Sequence, residues 1–162
     1  MYIMAIKIYD KIKAVAYAKK WALSRNPNYY NFDKLGGDCT NFVSQCLYAG
    51  CLIMNYDKNS GWYYNSLNDR VPSWTGVDFL FNFLTKNTSI GPFGKVISIK
   101  NIKLGDVVQF GNNKKFYHTV IVTQISNDKI YTSSHTIDSL DRPLESYSFN
   151  SIRCIHIEGI NT

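Results

Sequence analysis

Long apolar runs are missing from this 162-residue chain. The nearest, residues 77–84 and 119–125, are broken by Asp78, Asn82 and Thr123, and a membrane-crossing helix needs roughly 18–20 apolar residues. Residues 1–5 are too short for the apolar core of a signal peptide, and Lys7 interrupts them at once. Histidine is scarce, with three residues, and the four cysteines form no CxxC or CxxH pair. Zinc is therefore not expected. Cys39 and Cys46 stand two helical turns apart, about 10 Å, too far to share one ion. No metal or cofactor is anticipated, although a Cys51–Cys154 disulfide stays open. Proline is limited to 4 residues, and neither a repeat nor a linker interrupts the chain, so residues 1–162 read as one domain. Acidic residues are outnumbered, 12 against 18 basic, for a net charge of +6. A basic surface favours anionic partners. The lysines are scattered, however, and Lys11, Lys13, Lys19 and Lys20 line the solvated side of one helix, so nucleic acid is not expected as a partner.

Against these absences, 45% of residues are hydrophobic and 19% charged, a composition that folds. Asp10 is placed to cap a helix over 11–24 with Val15, Ala18 and Ala22 on one stripe. Asp38 precedes a second helix over 39–49, and Gly50 reads as its stop. A third covers 77–85. Residues 56–74, with Trp62 and Trp74, read as one long loop. From residue 96 the pattern turns to period two, predicting strands at 96–99, 106–110, 118–125, 130–135 and 152–157. Helices followed by strands in meander order indicate an α+β fold with a strongly curved antiparallel sheet.

The segment Gly36-Gly37-Asp38-Cys39-Thr40-Asn41-Phe42-Val43 carries the strongest chemical signal. It places a cysteine on the first turn of a helix, where unpaired N–H groups and the helix dipole favour a thiolate. The same N–H groups suit an oxyanion. The segment alone fits equally well a buried cysteine that happens to begin a helix. A nucleophilic cysteine needs a base, and arithmetic on the next hairpin offers one. With Asn127-Asp128 as a two-residue turn, opposed residues sum to 255. Val120 then faces His135, and His118 and His135 share a face as diagonal neighbours. Asp138 has the opposite parity and is the reserve if the register slips. His156 has no evident partner and reads as structural.

The run from Gly36 to Gln45 resembles the signature of the "Putative amidase domain" family, related to the CHAP and NlpC-type enzymes among papain-like cysteine peptidases. Further pieces carry the likeness: Ala16-Tyr17-Ala18, Trp62-Tyr63-Tyr64, Ser73-Trp74, Leu104-Gly105-Asp106-Val107, His118-Thr119-Val120-Ile121-Val122 and Ser134-His135-Thr136. The resemblance implies a papain-like core, with N-terminal helices packed on a five- to six-stranded curved antiparallel sheet. It implies a cysteine amidase or peptidase cleaving bacterial cell-wall amide bonds through a thioester, with Cys39 as nucleophile, His118 as base and His135 as third member. Asp38, Thr40, Tyr30, Trp62 and Trp74 are the expected substrate-binding residues, and Ser44 and Gln45 are expected to anchor a loop.

Two other readings stay open on sequence. The same Cys–His site would serve an acyl-transferring or protein-targeting toxin. Without catalysis, the basic and aromatic surface would suit a module that binds anionic wall polymer or nucleic acid. The expected partner is peptidoglycan or a similar peptide, with the chain a monomer. Wall hydrolysis favours a secreted location, though no export signal is legible.

Overall fold

Asp10 starts the first helix by accepting the Lys13 N–H at 3.0 Å, and α1 spans Lys11–Trp21. Its buried stripe is Ala14, Ala18 and Ala22, with Val15 only half-buried. Small residues there let α1 lie close against the second helix. The computed structural model describes residues 4–162. The first three residues of the 1–5 stretch considered above thus lie outside the described residues.

Helix α2 runs Cys39–Cys51, two residues beyond the expected end, and closes at Leu52 in the left-handed region, φ 55°. Gly50 is not the stop. It sits inside the helix because a Cβ there would stand 2.4 Å from the Tyr9 ring and 2.8 Å from the Asp10 carbonyl oxygen. Phe42, Val43, Cys46 and Leu47 are fully buried on α2, and each large apolar side chain contributes about 1.5–3 kcal/mol. Residues 56–74 are not one loop. They hold strands β2, Tyr64–Ser66, and β3, Asp69–Arg70, and a short helix α3, Pro72–Thr75. Helix α4 follows at Val77–Lys86.

The main sheet has seven strands: β1 Ile6–Lys7, β4 Gly91–Ile97, β5 Val107–Gly111, β6 Phe116–Ser126, β7 Lys129–Ser134, β8 Ser139–Pro143 and β9 Ser151–Asn161. It is antiparallel and open, giving an α+β fold. It exceeds the expected five to six strands because β1 has only two residues and β8, Ser-Leu-Asp-Arg-Pro, sets a single leucine among polar residues and a proline, so neither shows a period. Strands β5 to β8 follow meander order, but β9 departs from it. It returns to pair with β5 through its first half, with β4 along residues 154–161 and with β1 at its end. Helix α2 packs on the face that presents Val107, Ile121 and Ile155. The opposite face carries Val108, Phe110, Val120, Val122 and Cys154, beside the turns at Ile99–Asn101 and Leu144–Ser146. No helix among the described residues is long and apolar enough to cross a membrane.

The β6–β7 register needs correction. Ser126, Ile125 and Gln124 face Lys129, Ile130 and Tyr131 as expected, but Val122 faces Thr132 and Ile121 faces Ser133. Thr123 is an extra residue, and its hydroxyl is held by Ser133 Oγ at 2.9 Å and Asp141 Oδ1 at 2.6 Å. Opposed residues therefore sum to 254 beyond the bulge, which sends His118 and His135 to opposite faces.

Candidate active site

The start of α2 is built by a turn that only glycine tolerates. Gly36 and Gly37 have φ of 88° and 101°, in the region L side chains avoid. Asp38 follows, wholly buried. Its carboxylate does not cap the helix. Oδ1 instead accepts the Phe32 N–H at 2.8 Å and Asn41 Nδ2 at 2.9 Å, while Oδ2 takes His135 Nδ1 at 2.5 Å. These bonds to the ionised form outweigh the cost of burial and hold the Asp38 carboxyl below its usual range.

His135 is equally buried, stacked on Phe42 at 4.1 Å. Its Nε2 donates to the Trp21 carbonyl at 2.8 Å. The Trp21 carbonyl and the Asp38 carboxylate thus occupy both ring nitrogens of His135. His135 is thereby committed to Asp38 and to α1, not to His118. Arg25 closes the cluster: its Nε stands 3.4 Å from Asp38, and its other nitrogens hold Asp138 bidentately at 2.8 and 2.9 Å and Asp33 at 2.7 Å. Asp138, the reserve third member, is thus an Arg25 partner. Arg25 stands before Asn26-Pro27, where the sequence offers no sign of this part.

Cys39 lies one residue on, 7% exposed. Burial raises its thiol above the ordinary range, and the backbone N–H of Thr119, the Thr40 hydroxyl and the Thr40 N–H oppose that rise without cancelling it. Position on a helix start alone does not make this sulfur a thiolate. A polar chain ends on it. Arg153 Nε donates to Gln109 Oε1 at 2.7 Å, which fixes the Gln109 amide so that Nε2 donates to Thr119 Oγ1 at 3.2 Å. Thr119 and Thr40 hydroxyls are 2.9 Å apart, and Thr40 Oγ1 is 3.8 Å from Cys39 Sγ. Gln109 supplies a proton at one end, and each threonine hydroxyl keeps its own proton, so the chain is able to direct a donor toward the sulfur. Gln109 and Arg153 escape sequence reasoning because their roles arise only when β5, β6 and β9 pair.

His118 is placed differently from its expectation. Thr119 faces α2, so His118 projects to the other side of β6, with its ring beside Phe110 at 6.2 Å and Tyr147 at 6.1 Å. Burial, reinforced by the Arg142 charge, lowers its pKa to about 4, so the ring is neutral at pH 7. Neither ring nitrogen has a hydrogen-bond partner among the described residues. His156 pairs with Asp106 at 2.9 Å.

The expected substrate-binding residues part company as well. Trp62 and Trp74 are fully buried core, bonded to Ser44 Oγ at 3.1 Å and Asn41 Oδ1 at 3.0 Å, so they line no groove. Asp38 and Thr40 are buried and committed as described. Tyr30 is surface-exposed, and its carbonyl accepts Asn41 Nδ2 at 3.1 Å. Ser44 anchors the Trp74 carbonyl at 2.8 Å, and Gln45 accepts the Tyr17 hydroxyl at 2.6 Å. All four cysteines are free, which leaves the Cys51–Cys154 bridge unformed. Among the described residues no cluster of three His, Cys, Asp or Glu side chains is arranged to hold a metal.

The profile of the family described as "Putative amidase domain" matches residues 8–157. Two Bacillus subtilis (strain 168) proteins are similar. "Uncharacterized protein YjcM" is 32% identical over 151 residues, 87% of this chain and 34% of that protein. "Uncharacterized protein YhbB" is 36% identical over 125 residues, 75% of this chain and 38% of that protein. The chain spans about a third of the length of these curated relatives. No solved structure matches.

Proposed function

Because the chain belongs to the "Putative amidase domain" family, we propose that it hydrolyses an amide bond with Cys39 as the nucleophile, on a papain-like plan. The observation that carries this reading is the place of Cys39 on the first turn of α2, whose leading N–H groups lack partners within the helix, with the Thr40 hydroxyl 3.8 Å from the sulfur. Such donors stabilise charge as the thiol proton leaves, and helix-start N–H groups suit the oxyanion of the attacked carbonyl.

Since burial keeps Cys39 a thiol at neutral pH, the mechanism begins with a proton transfer, not with a standing thiolate–imidazolium pair. The base assigned here is His118. Its ring is neutral at pH 7, and neither ring nitrogen has a hydrogen-bond partner among the described residues. Because His118 projects from the face of β6 opposite Cys39, a rotation of its side chain does not bring the ring to the sulfur, and this role requires the start of β6 to reshape around residues 116–119. Sulfur then adds to the carbonyl carbon as the proton passes to His118. His118 returns that proton to the departing amine as the C–N bond breaks, leaving a thioester. Water cleaves the thioester, and Cys39 regains its proton. His135 and Arg25 position Asp38, and so the first turn of α2, without touching substrate.

The substrate class proposed is the peptide portion of bacterial cell wall, in keeping with the resemblance noted from the sequence. Mass spectrometry of purified peptidoglycan digested with the intact protein should show new amine and carboxyl ends, absent with Cys39→Ser. Release that persists in Cys39→Ser overturns the assignment. His118→Phe keeps an aromatic ring beside Phe110 and Tyr147 and removes the base, so turnover should fall by about 10²–10⁴-fold. Retained turnover would exclude His118.

A further inference from the structure

On the sheet face away from Cys39, strands β4 and β9 and the 98–103 turn border a solvent-open hollow of about 670 Å³. Lys95, Lys100, Asn101, Lys103, His156 and Glu158 supply its polar lining. Lys95 and His156 are directly opposed across the strand pair. The turn is fixed, not loose. Ser98 Oγ accepts the Lys100 N–H at 3.4 Å, and buried Asp106 accepts the Lys103 N–H at 2.9 Å. The same Asp106 carboxylate binds His156 Nδ1 at 2.9 Å, leaving Nε2 as the free ring nitrogen. Glu158 engages Lys95 at 2.9 Å, whereas Lys100 and Lys103 have no carboxylate within salt-bridge distance among the described residues.

We propose that this hollow binds a phosphate group. Several ammonium groups and an amide arranged around a concavity suit a multi-oxygen anion that accepts bonds from several directions, and the imidazolium form of His156 adds an N–H donor at Nε2. His156 is built into the site, since a 98%-buried carboxylate side chain orients its ring. The site gathers three of the chain's 18 basic residues. It lies on the opposite sheet face from the sulfur and does not depend on the amide-hydrolase reading.

The test is titration of the intact protein with inorganic phosphate, and separately with dimethyl phosphate, at constant ionic strength, following the imidazole resonances by NMR. Phosphate should shift His156 saturably and leave His118 and His135 in place. Lys100→Ala/Lys103→Ala should weaken binding at least tenfold. The equally exposed pair Lys114→Ala/Lys115→Ala should change it less than twofold, and Glu158→Gln should tighten it. Binding of inorganic phosphate alone identifies a free or terminal phosphate as the ligand, whereas binding of dimethyl phosphate as well identifies a phosphodiester chain. Absence of a saturable His156 shift, or equal losses in the two double-lysine variants, overturns the proposal. Both lysines of the first pair are exposed, so their loss tests binding without testing folding.

Discussion

Burial and hydrogen bonding pull the Cys39 thiol in opposite directions, and burial prevails. Thiolate is therefore the minor form at neutral pH, and its fraction grows tenfold per pH unit below the pKa. Alkylation of Cys39 by iodoacetamide should follow that slope from pH 7 to 9, read by mass spectrometry of the labelled peptide. A rate flat with pH would indicate a standing ion pair instead. His118 supplies a second residue-scale prediction. Its folded pKa of about 4 lies below the ordinary value near 6.5, so the unfolded chain binds more protons between those values. Its share of stability is present above pH 6.5 and is lost as pH falls toward 4, at up to about 1.4 kcal/mol per unit. Urea unfolding across this window should show the slope in the parent protein and a shallower one in His118→Phe. His135→Leu should cost about 3–5 kcal/mol in the same assay, because it strands the buried Asp38 charge. A loss under 1 kcal/mol would mean that Arg25 alone satisfies Asp38.

Among the elements, α2 departs most from its propensities. Alanine is the better helix former by about 1 kcal/mol, which taken alone favours Gly50→Ala. The Tyr9 ring and the Asp10 carbonyl occupy the space of that Cβ, and the carbonyl belongs to the backbone that begins α1. Overpacking of this kind costs about 1–3 kcal/mol, so the variant should be less stable by urea denaturation. An increase in stability would show that α1 and α2 part freely. The Thr123 bulge acts at the same scale: one extra residue decides which of two histidines shares a side with Cys39.

For the whole molecule, β9 joins the pieces. It pairs with β1, β4 and β5, and its Ile155, Ile157 and Ile160 enter the main core. Cooperative unfolding should therefore depend on it. A chain ending at residue 150 is expected to lose its near-ultraviolet circular dichroism and its sharp thermal transition. Survival of both would mean that β5 to β8 fold on the helices unaided.

Much of this was legible in the sequence, because local physics sufficed. Asp10 and Asp38 mark helix starts, period two marks β5, β6, β7 and β9, and paired glycines before Cys39 mark a turn of positive φ. Those signals need only the backbone and its nearest neighbours. Tertiary structure alone decided the rest. The carboxylate of Asp38 turns from the helix to His135, 97 positions away, because a buried charge takes the strongest partner within reach. Trp62 and Trp74 bury their rings where a surface groove was expected, since Ser44 and Asn41 offer their indole N–H groups partners inside. The face of His118 hangs on Thr123, whose hydroxyl finds Ser133 and Asp141 only once β7 and β8 are in place. Sequence parity is exact within a strand, but a bulge held by distant side chains resets it, and no local pattern records those contacts.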